Sequence, residues 1–132
     1  MSKSDDVIEA AIQALPHAYA PYSQFQVGAA ILDEQGRLHQ GVNVENAAYP
    51  QGSCAEAGAI SAMIMAKGQM IDIIAVAGRG EVLCTPCGGC RQRIREFAHA
   101  NTKILVCDET GLRKSYKIDD LLPDSFGPDN LS

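Results

Sequence analysis

The 132-residue sequence has no tryptophan and only three phenylalanines and four tyrosines, so aliphatic side chains must build most of its core. No apolar run approaches the roughly 18 residues that a membrane-spanning helix needs. The first residues, Met-Ser-Lys-Ser-Asp-Asp, lack the apolar segment of a secretory signal. There is no cluster of lysine and arginine, and the net charge of -5 disfavours nucleic acids as partners. We therefore expect a soluble cytoplasmic protein without a membrane or nucleic-acid partner.

The composition is that of an ordinary globular protein. A length of 132 residues, a hydrophobic content of 46% and a charged content of 20% predict a single domain over residues 1–132. The sequence has five cysteines, so they cannot all pair as disulfides within the chain, and no secretory signal is recognised. In a reducing compartment, closely spaced cysteines more often bind metal or do chemistry than form disulfides.

Hydrophobic periodicity predicts helices and strands in alternation. Helices are predicted over residues 4–15 with Ser4 as the N-cap, over 54–67 with Gly68 closing the helix, and from 87 towards 99, with a last helical turn over 119–123. Strands are predicted over residues 27–32, 38–44, 71–77, 103–107 and 114–118, the first two as a hairpin. This order predicts an α/β fold in which helices cover a mixed sheet.

Two cysteine motifs stand where helices are predicted to begin. Cys54 opens the tripeptide Cys-Ala-Glu, while Cys87 and Cys90 are three residues apart and share one helix face. Thr85 is the expected N-cap of the second helix and Pro86 its first residue. One helix and one strand separate the motifs, which suits two helices that begin at the same sheet edge. The positive ends of both helices favour thiolates there.

Three thiolates suit a catalytic zinc ion, because they leave the fourth tetrahedral position open for water. Zinc can lower the pKa of that water to about 7. Glu56 follows Cys54 by two residues, close enough to face the open position as a proton carrier without being a ligand. The motifs therefore predict a hydrolytic zinc site for a small substrate.

Two other sites remain open on spacing alone. Cys84-x-x-Cys87-x-x-Cys90 resembles the run that holds an iron–sulfur cluster, although the continuation x-x-x-Cys-Pro is missing. Cys84 as a fourth ligand would instead make a closed structural zinc site, and Glu56 would then have no role. Cys107 lies in a predicted strand and is expected to be an inert buried thiol.

Residues that precede the first cysteine motif offer contacts for a small molecule. Asn43 and Glu45 are two apart at a predicted strand end, so their side chains point to the same face. An amide and a carboxylate suit the paired hydroxyls of a sugar, although a solvated strand end fits them equally well. The aromatic-rich loop over residues 19–25 is either a wall for a flat ligand or a loop anchored by its rings.

These motifs resemble those of the zinc nucleoside deaminases. The resemblance rests on Cys54-Ala55-Glu56 and on Pro86-Cys87-Gly88-Gly89-Cys90-Arg91-Gln92. Further segments, which extend it over nearly the whole chain, are similar to the small homotetrameric cytidine deaminases: Tyr22-Ser23-x-Phe25-x-Val27-Gly28-Ala29-Ala30, Asn43-Val44-Glu45-Asn46-Ala47 and Leu122-Pro123-x-Ser125-Phe126-Gly127.

The resemblance implies a three-layer α/β/α cytidine-deaminase-like fold with a mixed sheet of about five strands. It implies hydrolytic deamination of cytidine and deoxycytidine, with release of ammonia, in pyrimidine salvage. One zinc ion per subunit, bound by Cys54, Cys87 and Cys90, activates the water that attacks C4 of the cytosine ring. Glu56 carries protons to N3 and to the departing amino group.

The resemblance also implies the substrate contacts. It assigns them to Phe25, Asn43, Glu45, Tyr49, Ala55 and Phe126. Among these, Asn43 and Glu45 hold the ribose, and Phe25 lines the base pocket. Tyr49 and Phe126 contribute to a neighbouring subunit's site, so a homotetramer with shared active sites is expected.

One position departs from the pattern of this family. Many members carry an arginine directly after Cys-Ala-Glu, where it contacts a cysteine ligand and offsets the charge of three thiolates. This chain has Ala57 at that position. We predict that the helix dipoles, together with hydrogen bonds from Arg91 or Gln92 behind the ligands, supply the compensation.

The main prediction is therefore a cytidine and deoxycytidine deaminase. A deaminase of a modified cytosine nucleoside, such as a nucleoside antibiotic, is the alternative enzyme, although Asn43 and Glu45 favour a plain sugar. Net charge and short loops disfavour a deaminase that edits polymers. A non-catalytic module with a structural zinc ion would bind metal and show no activity.

Overall fold

A computed structural model describes residues 2–132 as a five-stranded sheet with helices on both faces. The strands are β1 (Val27–Asp33), β2 (Leu38–Val42), β3 (Ile71–Gly78), β4 (Ala98–Asp108) and β5 (Gly111–Tyr116). The helices are α1 (Lys3–Ala14), α2 (Ala55–Met65), α3 (Gly88–Phe97) and α4 (Ile118–Leu121). Within these described residues, none of the helices has the length and apolar character needed to cross a membrane.

The sheet is mixed, with strand order β2-β1-β3-β4-β5. β3 and β4 are parallel, and α3 lies on the connection between them, whereas the other neighbouring strands are antiparallel. Alternate strand residues face opposite layers, as the pleat requires. Ile31 and Ile74 pack in the core cluster of α2, α3 and α4, and Leu32 and Ile73 pack in the cluster of α1. The predicted three-layer α/β/α fold with a mixed sheet is thus confirmed.

Two glycines let helices lie directly on the sheet. A Cβ atom on Gly28 of β1 would overlap the backbone of Ala11 in α1. A Cβ atom on Gly41 of β2 would overlap the backbone of Ala55 and Ala59 in α2. Because α2 touches β2 at its first turn, the backbone that carries Cys54 is held against the sheet.

Two predicted features of the helix ends are wrong. Ser2, rather than Ser4, caps α1, because the Ser2 hydroxyl accepts the Asp5 N–H while the Asp5 carboxylate accepts the Ser2 N–H. After α2, it is Lys67 that adopts a left-handed backbone, with φ 69°, and not Gly68. Gly68 instead leaves space for the side chains of neighbouring residues, since a Cβ atom there would crowd Asp33.

The second strand ends earlier than predicted. The expected strand 38–44 stops at Val42, because the chain leaves β1 and Val44 pairs with two other segments. Val44 forms one bridge with Tyr19 and another with Ser53, so the segment around it lies between the aromatic-rich loop and the start of α2. This arrangement brings the predicted sugar-binding residues next to the first cysteine motif.

The last two strands also differ in extent from the prediction. β4 is longer than residues 103–107 and begins directly after α3. β5 begins at Gly111, three residues before the predicted start, because the chain turns there with a φ of 141° and pairs Gly111 with Asp108.

Candidate metal centre and pocket

Cys54 and Cys87 have equivalent places in the fold. Each is the N-cap residue of a helix, Cys54 of α2 and Cys87 of α3, and their Sγ atoms lie 3.8 Å apart. Cys90, in the first turn of α3, completes a group of three Sγ atoms that all lie within 4.8 Å of one another. The two cysteine motifs, which are separated by a helix and a strand in sequence, therefore meet at one point.

The start of α3 differs from the prediction by two residues. Thr85 does not cap the helix and Pro86 does not begin it, because the first helical residue is Gly88. The carbonyl of Cys87 accepts the N–H of Arg91, as expected for an N-cap residue. The consequence is that Cys87 presents its thiol at the helix end itself, where the unpaired N–H groups lie.

The geometry of the three thiols fits a zinc ion. Tetrahedral zinc with Zn–S bonds of about 2.3 Å holds its sulfur atoms about 3.8 Å apart. The distance of 3.8 Å between the Sγ atoms of Cys54 and Cys87 matches this value. Within residues 2–132, Cys84 does not belong to the thiol group, so the predicted alternative of a closed four-cysteine site is not formed. Three sulfur ligands leave one zinc position for another molecule.

The thiols influence one another's ionisation. Burial raises the pKa of Cys90, and the negative charges of Glu56 and Cys54 raise it further. Burial also raises the pKa of Cys54, although a hydrogen bond with Cys90 opposes this effect. Burial acts in the same direction on Cys87, but hydrogen bonds from Cys90 and Cys54 outweigh it and lower the pKa of Cys87. A cation among the sulfurs would remove this conflict, because metal coordination deprotonates thiols.

Glu56 lies beside the thiol group in the first turn of α2. Only 4% of its surface is exposed, yet it lines the pocket that opens onto Cys54 and Cys87. Burial raises the pKa of Glu56, while hydrogen bonds to the carboxylate and the charge of Arg93 partly oppose the rise. A carboxyl group with a raised pKa holds a proton more readily than an ordinary glutamate, which suits a proton carrier.

The pocket beside the thiols has a volume of about 340 Å³. This is within the range of about 300–1,000 Å³ that is usual for small-molecule sites. Its wall brings together all the predicted site residues except Cys90, Phe126, Arg91 and Gln92. The lining residues are Phe25, Val27, Asn43, Val44, Glu45, Tyr49, Gly52, Ser53, Cys54, Ala55, Glu56, Cys84, Thr85 and Cys87.

Asn43 and Glu45 stand on the pocket wall together, as their spacing predicts. The Asn43 side chain is fixed to the strand, because it accepts the Val27 N–H at 2.8 Å and donates to the Phe25 carbonyl at 2.9 Å. The Glu45 carboxylate accepts the hydroxyl and the N–H of Ser23 and the N–H of Tyr22. These hydrogen bonds, led by that of the Ser23 hydroxyl, hold the pKa of Glu45 below its usual value, so Glu45 is ionised at neutral pH.

Phe25 and Tyr49 both line the pocket, whereas Phe126 does not. The Phe25 ring also lies close to Gly78, since a Cβ atom there would be only 3.3 Å from its Cζ atom. The Tyr49 ring meets the Tyr22 ring edge to face, with centroids 6.0 Å apart, and Tyr49 is 76% exposed. Phe126 is 57% exposed on the C-terminal segment and is absent from the pocket wall of this chain.

Arg91 and Gln92 do not donate to the ligand sulfurs, contrary to the prediction. The Arg91 guanidinium donates to the Pro86 carbonyl at 2.8 Å, to the Leu121 carbonyl at 3.0 Å and to the Thr85 hydroxyl at 3.3 Å. Gln92 donates to the Phe126 carbonyl at 2.9 Å. Arg91 therefore holds the backbone that precedes Cys87, and Gln92 holds the C-terminal segment. Both residues act on the surroundings of the site through backbone carbonyls.

Two residues near the thiols have positions that the sequence prediction did not include. Arg93 donates to the Cys90 Sγ at 3.8 Å, and a spacing of three residues on a helix was the signal that could have revealed it. Cys84, considered only as a metal ligand, instead lies on the pocket wall and against Gly78. Burial and the charge of Glu56 raise the pKa of Cys84 to about 11, so it is a neutral thiol at this wall.

Comparison with known proteins agrees with this geometry. Residues 1–106 match the family described as the cytidine and deoxycytidylate deaminase zinc-binding region. A cytidine deaminase of Mycobacterium tuberculosis is 42% identical over 122 residues, which cover 92% of this chain and 87% of that protein. A cytidine deaminase of Halalkalibacterium halodurans is 36% identical over 126 residues, which cover 96% of each chain.

Solved structures show the same likeness. The crystal structure of cytidine deaminase from Burkholderia pseudomallei matches with a TM-score of 0.84 and 38% sequence identity, covering 92% of this chain and 97% of that chain. The family match spans both cysteine motifs, and the relatives are similar over nearly their full length. This chain therefore belongs to the family of deaminases that carry the cytidine and deoxycytidylate deaminase zinc-binding region.

Proposed function

We propose that this protein is a zinc-dependent hydrolase that deaminates cytidine and deoxycytidine to uridine and deoxyuridine, with release of ammonia. One observation carries the proposal: a three-thiol group and a buried Glu56 share one pocket with an amide and a carboxylate suited to a sugar. A nucleoside matches this pocket, because its base can be attacked at the thiol group and its ribose can be held by the amide and the carboxylate. We also propose that this reaction serves pyrimidine salvage.

The metal end of the pocket supplies the chemistry. When it is bound by Cys54, Cys87 and Cys90, zinc supplies an activated water molecule as the nucleophile. Glu56 reaches the same space from α2 and moves protons between this water, N3 of the base and the departing amino group. Its burial suits this task, because the raised pKa lets the carboxyl group hold a proton between two transfers.

The other walls of the pocket orient the nucleoside. Phe25 offers an aromatic side chain to the base, and Ala55, the first residue of α2, has a backbone N–H without an intrahelical partner that can contact it. Glu45 keeps its charge and can accept hydrogen bonds from ribose hydroxyls, while Asn43 stands beside it. Asn43 accepts the Val27 N–H of the strand and Glu45 accepts the Tyr22 N–H of the loop, and these hydrogen bonds keep this wall in place before substrate arrives.

We also propose a homotetramer with shared active sites, located in the cytoplasm. Phe126 and Tyr49 are exposed aromatic residues, and Phe126 lies outside the pocket of its own chain, so both suit contact with a neighbouring subunit's substrate. Ile64 and Met65 on α2 are exposed and apolar, which suits a helix packed between subunits. Thiol ligands are kept reduced in the cytoplasm.

The proposal is tested by incubating the purified, zinc-loaded protein with cytidine. We expect loss of the ultraviolet band of cytidine together with one molecule of ammonia for each cytidine consumed. Removal of zinc by a chelator should stop the reaction, and zinc added back should restore it. Deoxycytidine and base-modified or sugar-modified cytosine nucleosides, tested in parallel, define the substrate. Unchanged cytidine in the presence of fully zinc-loaded protein would contradict the proposal.

A further inference from the structure

Arg93 contacts the metal centre from the outside. Its Nη1 atom donates to the Sγ atom of Cys90 over 3.8 Å. The two residues are three apart on α3 and so share a face of that helix. Gly89 leaves room for the guanidinium, because a Cβ atom at Gly89 would lie only 3.3 Å from Nη1. A side chain at that position would require the guanidinium to shift by a few tenths of an ångström.

A positive charge near the thiol group would stabilise it strongly, because all three of its zinc ligands are thiolates. When zinc binds, three thiols release their protons to solvent, and the group changes from neutral to net negative. The buried carboxylate of Glu56 adds a further negative charge beside it. Within residues 2–132, Arg93 is the one cationic side chain that donates to a ligand sulfur, because Arg91 is directed to carbonyls and a hydroxyl and Ala57 has no charge.

We propose that Arg93 is a positioning residue that offsets the thiolate charge and thereby strengthens zinc binding. This inference rests on the zinc centre proposed above. A fixed positive charge near Cys90 favours the negatively charged, zinc-bound state over the neutral thiols. Hydrogen bonds to metal ligands also fix their orientation, and loss of such partners typically weakens metal affinity by about 10- to 100-fold. In this chain the cation is Arg93 on α3, and the residue after Glu56 on α2 is the uncharged Ala57.

The test compares Arg93→Met with Arg93→Lys in a zinc competition experiment against a colorimetric chelator. Methionine keeps much of the side-chain length without the charge, whereas lysine keeps the charge. We expect Arg93→Met to bind zinc about 10- to 100-fold more weakly than wild type. Arg93→Lys should stay within a few-fold of wild type. The same affinity in Arg93→Met and wild type would overturn the inference, as would equal losses in the two variants.

A matched control separates this contact from the general charge of the helix. Arg95→Met removes the same charge from the same helix, but Arg95 pairs with Ser125 and Asp129 and does not contact a thiol. Zinc affinity should be unchanged in Arg95→Met. A loss equal to that of Arg93→Met would show that only the overall helix charge matters, and would overturn the specific role of Arg93.

Thermal unfolding keeps the test decisive if a variant is less stable. All variants are measured in excess chelator and again with saturating zinc. We expect equal midpoints in chelator, because Arg93 is exposed, and a smaller zinc-induced rise for Arg93→Met than for Arg93→Lys. The two proposals also fail differently. Wild type that does not bind zinc contradicts the proposed function, whereas wild type and Arg93→Met with equal zinc binding contradict only the role of Arg93.

Discussion

Asp33 and Glu56 are both buried carboxylates, and their surroundings move their pKa values in opposite directions. Burial opposes ionisation of Asp33, but hydrogen bonds from His39 and from the N–H groups of Arg37 and Gln35, with the charge of Arg37, lower its pKa to about 2. Burial raises the pKa of Glu56, and its partners do not overcome this effect. Asp33 is thus held as a permanent anion at the β1–β2 turn, while Glu56 faces a pocket.

Two buried cysteines show the same division. Cys90 lies in the thiol group beside the pocket, whereas Cys107 in β4 packs in the core under α1. Burial and the neighbouring Asp108 raise the pKa of Cys107 to about 12, which agrees with the predicted inert thiol. In each pair, one residue lies away from the pocket and stabilises the fold. The other, Glu56 in the pocket wall or Cys90 in the thiol group beside it, is available for chemistry.

The largest effect is expected from replacing Cys90, the buried cysteine that lies in the thiol group. Cys90→Ala removes one of three zinc ligands, so zinc should be lost on dialysis and deamination should fall to background. Cys107→Ala is the matched control, because it removes a thiol of the same burial outside the metal centre. It should keep one zinc ion per chain, measured by metal analysis, and keep its turnover number. Loss of zinc from both variants would contradict the assignment of Cys90 as a zinc ligand.

Asp33→Asn should weaken the fold and leave the chemistry intact. The lowering of the Asp33 pKa from 3.8 to about 2 corresponds to at most about 2.5 kcal/mol of stability at neutral pH. Urea unfolding at pH 7 should show a loss of this order, while activity per folded molecule stays the same. Glu81→Gln, at an exposed position where the carboxylate makes no hydrogen bond or ion pair within residues 2–132, should have a much smaller effect. Equal losses in both variants would contradict the structural role of Asp33.

The pH dependence of this stability follows from the sign of the shift. Because the pKa of Asp33 is lowered in the folded state, its contribution is fully present above pH 3.8 and is lost as pH falls through about 2. The difference in unfolding free energy between wild type and Asp33→Asn should therefore shrink between pH 4 and pH 2. A difference that grows on acidification would contradict this assignment.

The smallest effect is expected from the half-buried carboxylate of Glu45 at the sugar end. Glu45→Gln keeps one acceptor oxygen but removes the charge that receives the Ser23 and Tyr22 hydrogen bonds. We expect KM for cytidine to rise about tenfold with a smaller change in kcat. Glu9→Gln, on the surface of α1, is the control and should leave both constants unchanged. A kcat loss without a KM change would assign Glu45 to the chemical step.

The sequence allowed the layers and the site core to be predicted for clear physical reasons. The order of strands and helices and the spacing of Cys54 and Cys87 are visible in the sequence. The fold topology then brings the two cysteines together at one site. Side-chain partners were less predictable. Arg91 follows Cys90 directly and looked like a sulfur donor, but the carbonyl of Pro86 competes for its guanidinium. Arg93, on the same helix face as Cys90, takes that contact.

Local caps show the same limit. Ser2 and Ser4 are both plausible caps for α1, and only the reciprocal bond with Asp5 decides for Ser2. That choice was visible in the sequence as Ser-x-x-Asp, so it is a missed signal. The pairing of Val44 with Ser53 was not visible, because it depends on how a loop folds back in three dimensions.

The most direct test of this account compares zinc-loaded Glu56→Gln with zinc-loaded Asp33→Asn in one deamination assay. We predict that kcat for cytidine falls about 10²- to 10⁴-fold in Glu56→Gln, because the proton carrier is lost. The zinc content of Glu56→Gln should equal that of wild type, and its urea midpoint should match wild type or exceed it, since a buried charge is removed. Asp33→Asn should keep its kcat. Turnover by Glu56→Gln within a few-fold of wild type would contradict the assignment of Glu56 to the chemistry.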